Sequence, residues 1–254
     1  IWPSDDETLS PQIRGLAWIL LAGPPPPHNV GPIRTLMKHF WPHVWPPEGN
    51  DIQIQILPTP RADSETLWIC PQQTTPSTAL IHLHGGGMVA GTTGAERGLA
   101  VELARRLQVP VLSIDYRLVP EHSVEEAVQD VVAAYQYLVQ TYPQFTKLSF
   151  LGGSAGAGHS LLATLKLKEL GVKPFPTSLV LSSPGPGMEF LPPEDPYNSW
   201  KSLQENAAVD GYMAGEFYQY VTSLVYGKEA NQEYFRCALV NLEGLPPCLI
   251  TARS

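Results

Sequence analysis

The sequence predicts an α/β fold: a mostly parallel central sheet with helices on both faces. Two patterns carry that expectation. Strand-like and helix-like stretches alternate from residue 51 to residue 182, the order that builds βαβ units. Several of the strand-like stretches are short continuous apolar runs, as in strands buried on both faces. Composition agrees, since 43% of the 254 residues are apolar and 16% are charged, enough to bury one large core.

The elements follow in order. Asp51 to Leu57 alternates polar and apolar residues, the period-two pattern of a half-buried strand. Thr66 to Cys70 reads as a short second strand. Ala79 to His84 is a third, and it runs straight into Gly85-Gly86-Gly87. A helix is expected over 95–107, with Leu99, Leu103 and Leu107 on one stripe. Val109 to Asp115 is a buried strand. Residues 124–140 place Val124, Val128, Val131, Val132, Tyr135, Leu138 and Val139 at helical spacing. Leu148 to Leu151 is another strand, and 155–170 a helix with Gly171 at its C-terminal cap. Ser178 to Ser182 is a strand, a helix is expected around Tyr212 to Val225, and Leu249 to Ala252 begins one more strand.

Proline marks what surrounds this middle. There are 26 prolines, about twice the usual share of roughly 5%. Ten lie in residues 1–50 and seven between Pro174 and Pro196. Residues 1–50 and about 184–240 are therefore expected to be peripheral segments around one core spanning 51–254. Linkers between independent domains are the alternative, but neither segment separates two complete cores. Cys70, Cys237 and Cys248 show no CxxC or Cys/His spacing, so free core thiols are expected rather than a disulfide framework or a zinc site. A formal charge of −8 argues against nucleic acid or an acidic membrane as the main partner. The longest apolar run near the front, Leu16 to Ala22, is far short of the roughly 20 residues of a membrane span.

Two motifs carry chemistry. Gly152-Gly153-Ser154-Ala155-Gly156 matches G-x-S-x-G and falls between a strand and a helix, the setting of a nucleophile elbow. Strand and helix nearly touch at such a turn, so small residues are needed two before and two after the serine; Gly152 and Gly156 supply them. The helix N-terminus behind Ser154 favours developing negative charge. A tightly packed or phosphate-binding glycine turn is the competing reading. Seventy residues upstream stands His84-Gly85-Gly86-Gly87. Consecutive glycines let backbone N–H groups line a cleft without side chains in the way. With the N–H of the residue after the nucleophile, two such donors form an oxyanion hole. A flexible surface loop is the alternative here, and the second motif, in the expected order, weighs against it.

With these motifs the chain resembles the hormone-sensitive-lipase-like group of α/β-hydrolases, from about residue 51 to the last residue. Asp115-Tyr116-Arg117-Leu118-Val119-Pro120-Glu121-His122 looks like that group's D-Y-R-L-A-P-E-H, and Leu245-Pro246-Pro247 precedes the last strand as it does there. The resemblance implies the α/β-hydrolase fold, with an eight-stranded sheet. It also implies a cap built from residues 1–50 and an insertion at about 184–240. It implies Ser154 as nucleophile and Gly86, Gly87 and Ala155 as oxyanion donors. His84, Gly85, Gly152 and Gly156 become structural supports. No metal or organic cofactor is called for, and the implied partner is a small-molecule ester. Several positions depart from the pattern: Gly153 where Asp is usual, Ala157 for Gly, Met88 for an aromatic, and Ser123-Val124 for Pro-Phe. Ser183-Pro184-Gly185-Pro186-Gly187 replaces S-P-W-x-D.

The base and acid are the open part of this reading. In this fold they follow the serine in the order acid, then histidine. The one histidine after Ser154 is His159, five residues along the same helix and expected to pack beside it. Asp195 and Asp210 fall in the expected cap. Leu245 to Ser254 fills the frame that leads to the triad Asp, so the Asp and His are expected beyond residue 254. The final helix, strand, His-bearing loop and helix are expected there too, on the order of 50 residues. The expected function is a carboxylic-ester hydrolase acting on small to medium acyl esters through an acyl-serine, with this chain alone nearly inactive. The alternatives are a pseudo-hydrolase that binds a small apolar ligand, and a non-hydrolytic catalyst using the same pocket.

Overall fold

The structure is a computed structural model and describes residues 29–39, 42, 49–58, 61, 63–74, 77–184, 216–226 and 242–251. Among them run seven strands: β1 (Ile52–Ile56), β2 (Leu67–Pro71), β3 (Thr78–Leu83), β4 (Val111–Ile114), β5 (Lys147–Gly153), β6 (Ser178–Ser182) and β7 (Cys248–Thr251). Five helices accompany them: α1 (Gly31–His39), α2 (Arg97–Leu107), α3 (Val124–Thr141), α4 (Ala155–Glu169) and α5 (Glu216–Tyr226). The strands form one sheet in the order β1-β2-β4-β3-β5-β6-β7. β1 and β2 are antiparallel to each other, and β2 is antiparallel to β4. The other pairings are parallel.

The strand residues sort onto two faces with period two. Ala79, Ile81 and Leu83 of β3, with Leu112 and Ile114 of β4, join the larger core with α3 and α4. Leu80 of β3 and Val111 of β4 join the smaller core with Ala100, Val101 and Ala104 of α2. Helices therefore cover both faces. β3 is flanked by β4 on one side and β5 on the other. The chain steps one way across α2 and returns across α3, so its direction through the sheet reverses there. In open α/β sheets the crevice at the C-terminal strand ends of such a reversal is where ligands bind.

Local chemistry sets the helix ends. Ser123 and Glu126 close a capping box at the start of α3. After α4, Gly171 takes φ +64, Val172 N–H donates to Leu167 O and Gly171 N–H to Lys168 O. That is a Schellman termination with the glycine in its left-handed position. The α3 stripe is buried as its spacing requires, with Val139 half-buried.

Three expectations are corrected. α1 lies in residues 1–50, expected to be a peripheral segment and given no element; Met37 on it is buried in the larger core. The α2 stripe is not the leucine one. Leu99 and Leu103 are half-buried and Leu107 is exposed, while Ala100, Val101 and Ala104 face the sheet, because small residues let the helix approach it. Cys70 is half-buried and Cys248 exposed, both free, so neither is a core thiol. β7 forms where the Leu249 to Ala252 run was expected to begin a strand, and Leu249 and Ile250 on it are exposed. Cys237, Asp195, Asp210 and the start of the expected 212–225 helix lie outside the described residues. No helix among the described residues is long and apolar enough to cross a membrane.

Candidate active site

At the C-terminal end of β5, Ser154 has φ 52 and ψ −118. A side-chain-bearing residue occupies such a conformation only when its surroundings impose it, at a cost of about 1–3 kcal/mol. The surroundings here are tight. A Cβ on Gly152 would lie 2.3 Å from the Gly156 carbonyl, and one on Gly156 would lie 2.1 Å from Leu83 O at the end of β3. Ser154 N–H donates to Ser182 O at 2.8 Å, and Ser154 O accepts the amides of Ala157 and Gly158. The result is a serine that is exposed while its neighbours Ala155 to Ser160 are buried. Behind it Ala155 N–H opens α4 with no acceptor inside the helix, at the positive end of the helix dipole.

The glycine loop meets this turn from β3. A Cβ on Gly85 would stand 3.2 Å from Gly153 O and 3.8 Å from Ser154 Cβ. Gly86, Gly87 and Met88 all have positive φ, at 128, 62 and 64. Gly86 O accepts both Val89 N–H and Ala90 N–H, so it is consumed inside the loop. The N–H of Gly87 points the opposite way in the same planar peptide. Among the described residues neither Gly86 nor Gly87 N–H has an acceptor. A Cβ on Gly87 would lie 3.2 Å from Val221 of α5, which places that helix directly over the loop.

A strained serine between strand and helix, with unclaimed amides of a glycine loop beside it, is the arrangement on which the relatives can be compared. A family model described as the alpha/beta hydrolase fold matches residues 80–254. An esterase from the bacterial hormone-sensitive lipase family is 29% identical, with a TM-score of 0.76, over 95% of this chain and 78% of that one. An esterase/lipase from an uncultured bacterium is 30% identical, with a TM-score of 0.69 and the same coverages. The esterase EstE5, in a crystal soaked with p-nitrophenyl butyrate, is 30% identical with a TM-score of 0.70, again over 95% and 78% of the two chains. The chain belongs to the hormone-sensitive-lipase-like α/β-hydrolases.

Three side-chain networks brace the hydrolase's loop. In the first, His84 is buried and its ring stacks on Tyr116 at 4.2 Å. Burial pushes the His84 ring below its ordinary value and keeps it neutral. Nδ1 stands 2.8 Å from Gly85 O, so it carries the proton and Nε2 is bare. Tyr116, held protonated by burial, donates its hydroxyl to His84 O. In the second, Glu96 Oε1 accepts Gly85 N–H at 3.0 Å and Oε2 lies 3.2 Å from His82 Nε2. Burial acts to raise the Glu96 carboxyl, but the His82 hydrogen bond, the neighbouring His82 and His84 rings and the Gly85 amide bring it below the ordinary value. In the third, Arg34 of α1 donates to Val89 O at 2.7 Å, to Val119 O at 3.0 Å and to both Glu121 oxygens. Arg34 first holds the Glu121 carboxyl down, to about 2. Val119 N–H donates to Met88 O and completes that attachment.

The residues named from the sequence thus converge: Ser154, Ala155, Gly152 and Gly156 at the elbow, and His84 to Gly87 against it. Gly153, where the family usually has Asp, faces open space, with nothing within 4 Å of a Cβ built there. His159 does not join the site. It is fully buried against Tyr116, both ring nitrogens lack partners, and burial, then repulsion from the His84 ring wherever both would be protonated, push it down to about 3. No described histidine hydrogen-bonds Ser154. Sequence reasoning missed Glu96 and Arg34 and passed over His82. The available signal was weak: His82 lies near the end of β3, two residues before His84.

Proposed function

We propose that the protein is a carboxylic-ester hydrolase that works through an acyl-serine. Ser154 Oγ attacks the ester carbonyl, and the Gly86, Gly87 and Ala155 N–H groups bind the oxyanion of the tetrahedral intermediate. Collapse expels the alcohol and leaves the acyl group on Ser154; water then releases the acid and regenerates the hydroxyl. The observation that carries this reading is Ser154 at φ 52, exposed between strand and helix, with the glycine loop against it. Membership of an esterase family and similarity to esterases of known structure support it. The proton of Ser154 needs a base, and His159 is sealed and neutral. The reading therefore assigns base and acid to residues outside the described ones. α1 and α5, packed on the glycine loop through Arg34 and Val221, act as cap elements over the site. Val221 of α5, Met37 of α1 and Met88 of the loop are apolar and suit small to medium acyl esters.

Full-length protein is expected to cleave p-nitrophenyl acetate or butyrate and to take up a fluorophosphonate on Ser154. Ser154→Ala is expected to abolish both. Turnover retained in that variant would sink the nucleophile assignment. Absence of labelling in the wild type would favour a ligand-binding protein instead.

A further inference from the structure

One hydrogen-bonded chain beside the loop takes no part in the steps above. Ser113 of β4 and His82 of β3 are register partners, and His82 Nδ1 stands 3.1 Å from Ser113 Oγ. His82 Nε2 stands 3.2 Å from Glu96 Oε2, and Glu96 Oε1 accepts the Gly85 amide at 3.0 Å. The order serine, histidine, carboxylate is that of a hydrolytic triad, but Ser113 has no exposed surface and His82 almost none. Substrate cannot reach this serine. The far end of the chain is the functional one, because it ends on the first glycine of the loop.

The position of that amide matters. A Cβ on Gly85 would meet Glu96 Oε1 at 3.6 Å, Gly153 O at 3.2 Å and Ser154 Cβ at 3.8 Å. The carboxylate therefore holds the loop where loop and elbow touch. Glu96 sits at the N-terminus of α2, where the helix dipole favours its charge, and His82 fixes its orientation. The other end of the loop is held separately, by Arg34 on Val89 O and by Val119 N–H on Met88 O. Gly85, Gly86 and Gly87 have no side chains to restrict them, so the path between the two anchors depends on where each anchor grips.

We propose that Glu96, oriented by His82, is a positioning residue that grips the Gly85 amide and thereby aims the Gly86 and Gly87 N–H groups at the oxyanion of the Ser154 reaction. This rests on the hydrolytic reading given above. A displacement of about 1 Å in a catalytic group can cost on the order of 100-fold in rate, so the effect of losing the grip is large enough to measure.

The test compares full-length wild type, Glu96→Gln and Glu96→Ala in three measurements. These are the rate constant for fluorophosphonate labelling of Ser154, steady-state hydrolysis of p-nitrophenyl butyrate, and hydrogen exchange of peptides spanning residues 84–88. In Glu96→Ala, labelling and kcat are expected to fall by about 10- to 100-fold with KM little changed. Exchange at 84–88 rises while α3 and α4 keep their protection. Glu96→Gln retains an oxygen acceptor for the Gly85 amide and is expected to recover most of the loss. Unchanged labelling and kcat in a folded Glu96→Ala would overturn the proposal and leave the hydrolytic reading intact. Loss of protection throughout Glu96→Ala, not recovered by Gln, would also overturn it, since the role would then be general stability. A wild type that takes no fluorophosphonate overturns the hydrolytic reading instead. The grip on Gly85 is then judged by exchange at 84–88 alone: faster exchange in Glu96→Ala supports it, and unchanged exchange rejects it.

Discussion

Within the elbow, neighbouring glycines have opposite tolerances. Gly156 has Leu83 O 2.1 Å from where a Cβ would stand, and Gly152 has the Gly156 carbonyl at 2.3 Å. Both obstacles are backbone and cannot rotate away. Gly156→Ala is expected to lower stability by more than about 3 kcal/mol and to displace Ser154. Gly153, one residue from Ser154, has nothing within 4 Å, and Gly153→Ala is expected to change stability by less than about 0.5 kcal/mol. Urea midpoints of the two variants check this, and equal effects would contradict the packing account. These glycines were legible in the sequence because a short motif encodes a local turn. Glu96 was not, because its partners His82 and Gly85 lie on β3 and the loop after it, and no local spacing connects a helix start to a strand in another layer.

Elements repeat that division between local and distant causes. α3 was readable because its apolar stripe is written along one unbroken stretch of residues. α1 was not, being nine residues long and below the length at which a helix is stable alone. Its support comes from afar: Arg34 reaches Val89, 55 residues away, and Glu121, 87 residues away. Arg34→Ala is expected to cost about 1–3 kcal/mol and to speed amide exchange in α1, because Val89 O and Val119 O lose their donor. Glu121→Gln leaves both carbonyls satisfied and is expected to do less. Equal losses in the two variants would mean that the ion pair, rather than the carbonyl bonds, holds the helix. The α2 stripe was misread for a related reason: leucines outweigh alanines in any hydrophobicity pattern, while a close helix–sheet approach selects alanine.

Over the whole molecule, two of the buried histidines, His84 and His159, set the acid limit. His159 is held at about 3 against an ordinary value of 6.5, and His84 is lowered in the same direction. As pH falls below about 6.5 the unfolded chain takes up protons that the native ring refuses. Stability is therefore full above that pH. It declines towards pH 3 at up to about 1.4 kcal/mol per pH unit for each such group. His159→Leu removes two unpartnered buried nitrogens. It is expected to raise stability at neutral pH by about 1–3 kcal/mol and to flatten the acid decline by one group's share. Chemical denaturation from pH 7 to pH 4 measures both, and an unchanged slope would contradict the assignment. At this scale the sequence conveyed the parallel sheet and the convergence of two motifs at one crevice. It did not convey which polar groups would end up sealed, since burial is decided by the assembled layers.

The internal use of the Gly86 carbonyl has a consequence for how the hydrolase discriminates. Rotating the Gly86–Gly87 peptide would break the bonds from both Val89 and Ala90, so the Gly87 N–H holds its aim before any ester arrives. On the proposed reading the enzyme spends no free energy arranging that donor during the reaction. A planar ester gains little from such a fixed donor, and a tetrahedral adduct gains most. The selectivity of the site is thus for the geometry of the reacting carbon rather than for the ground-state substrate. Boronic acids and trifluoromethyl ketones, which become tetrahedral on a serine, match that geometry better than esters of the same size.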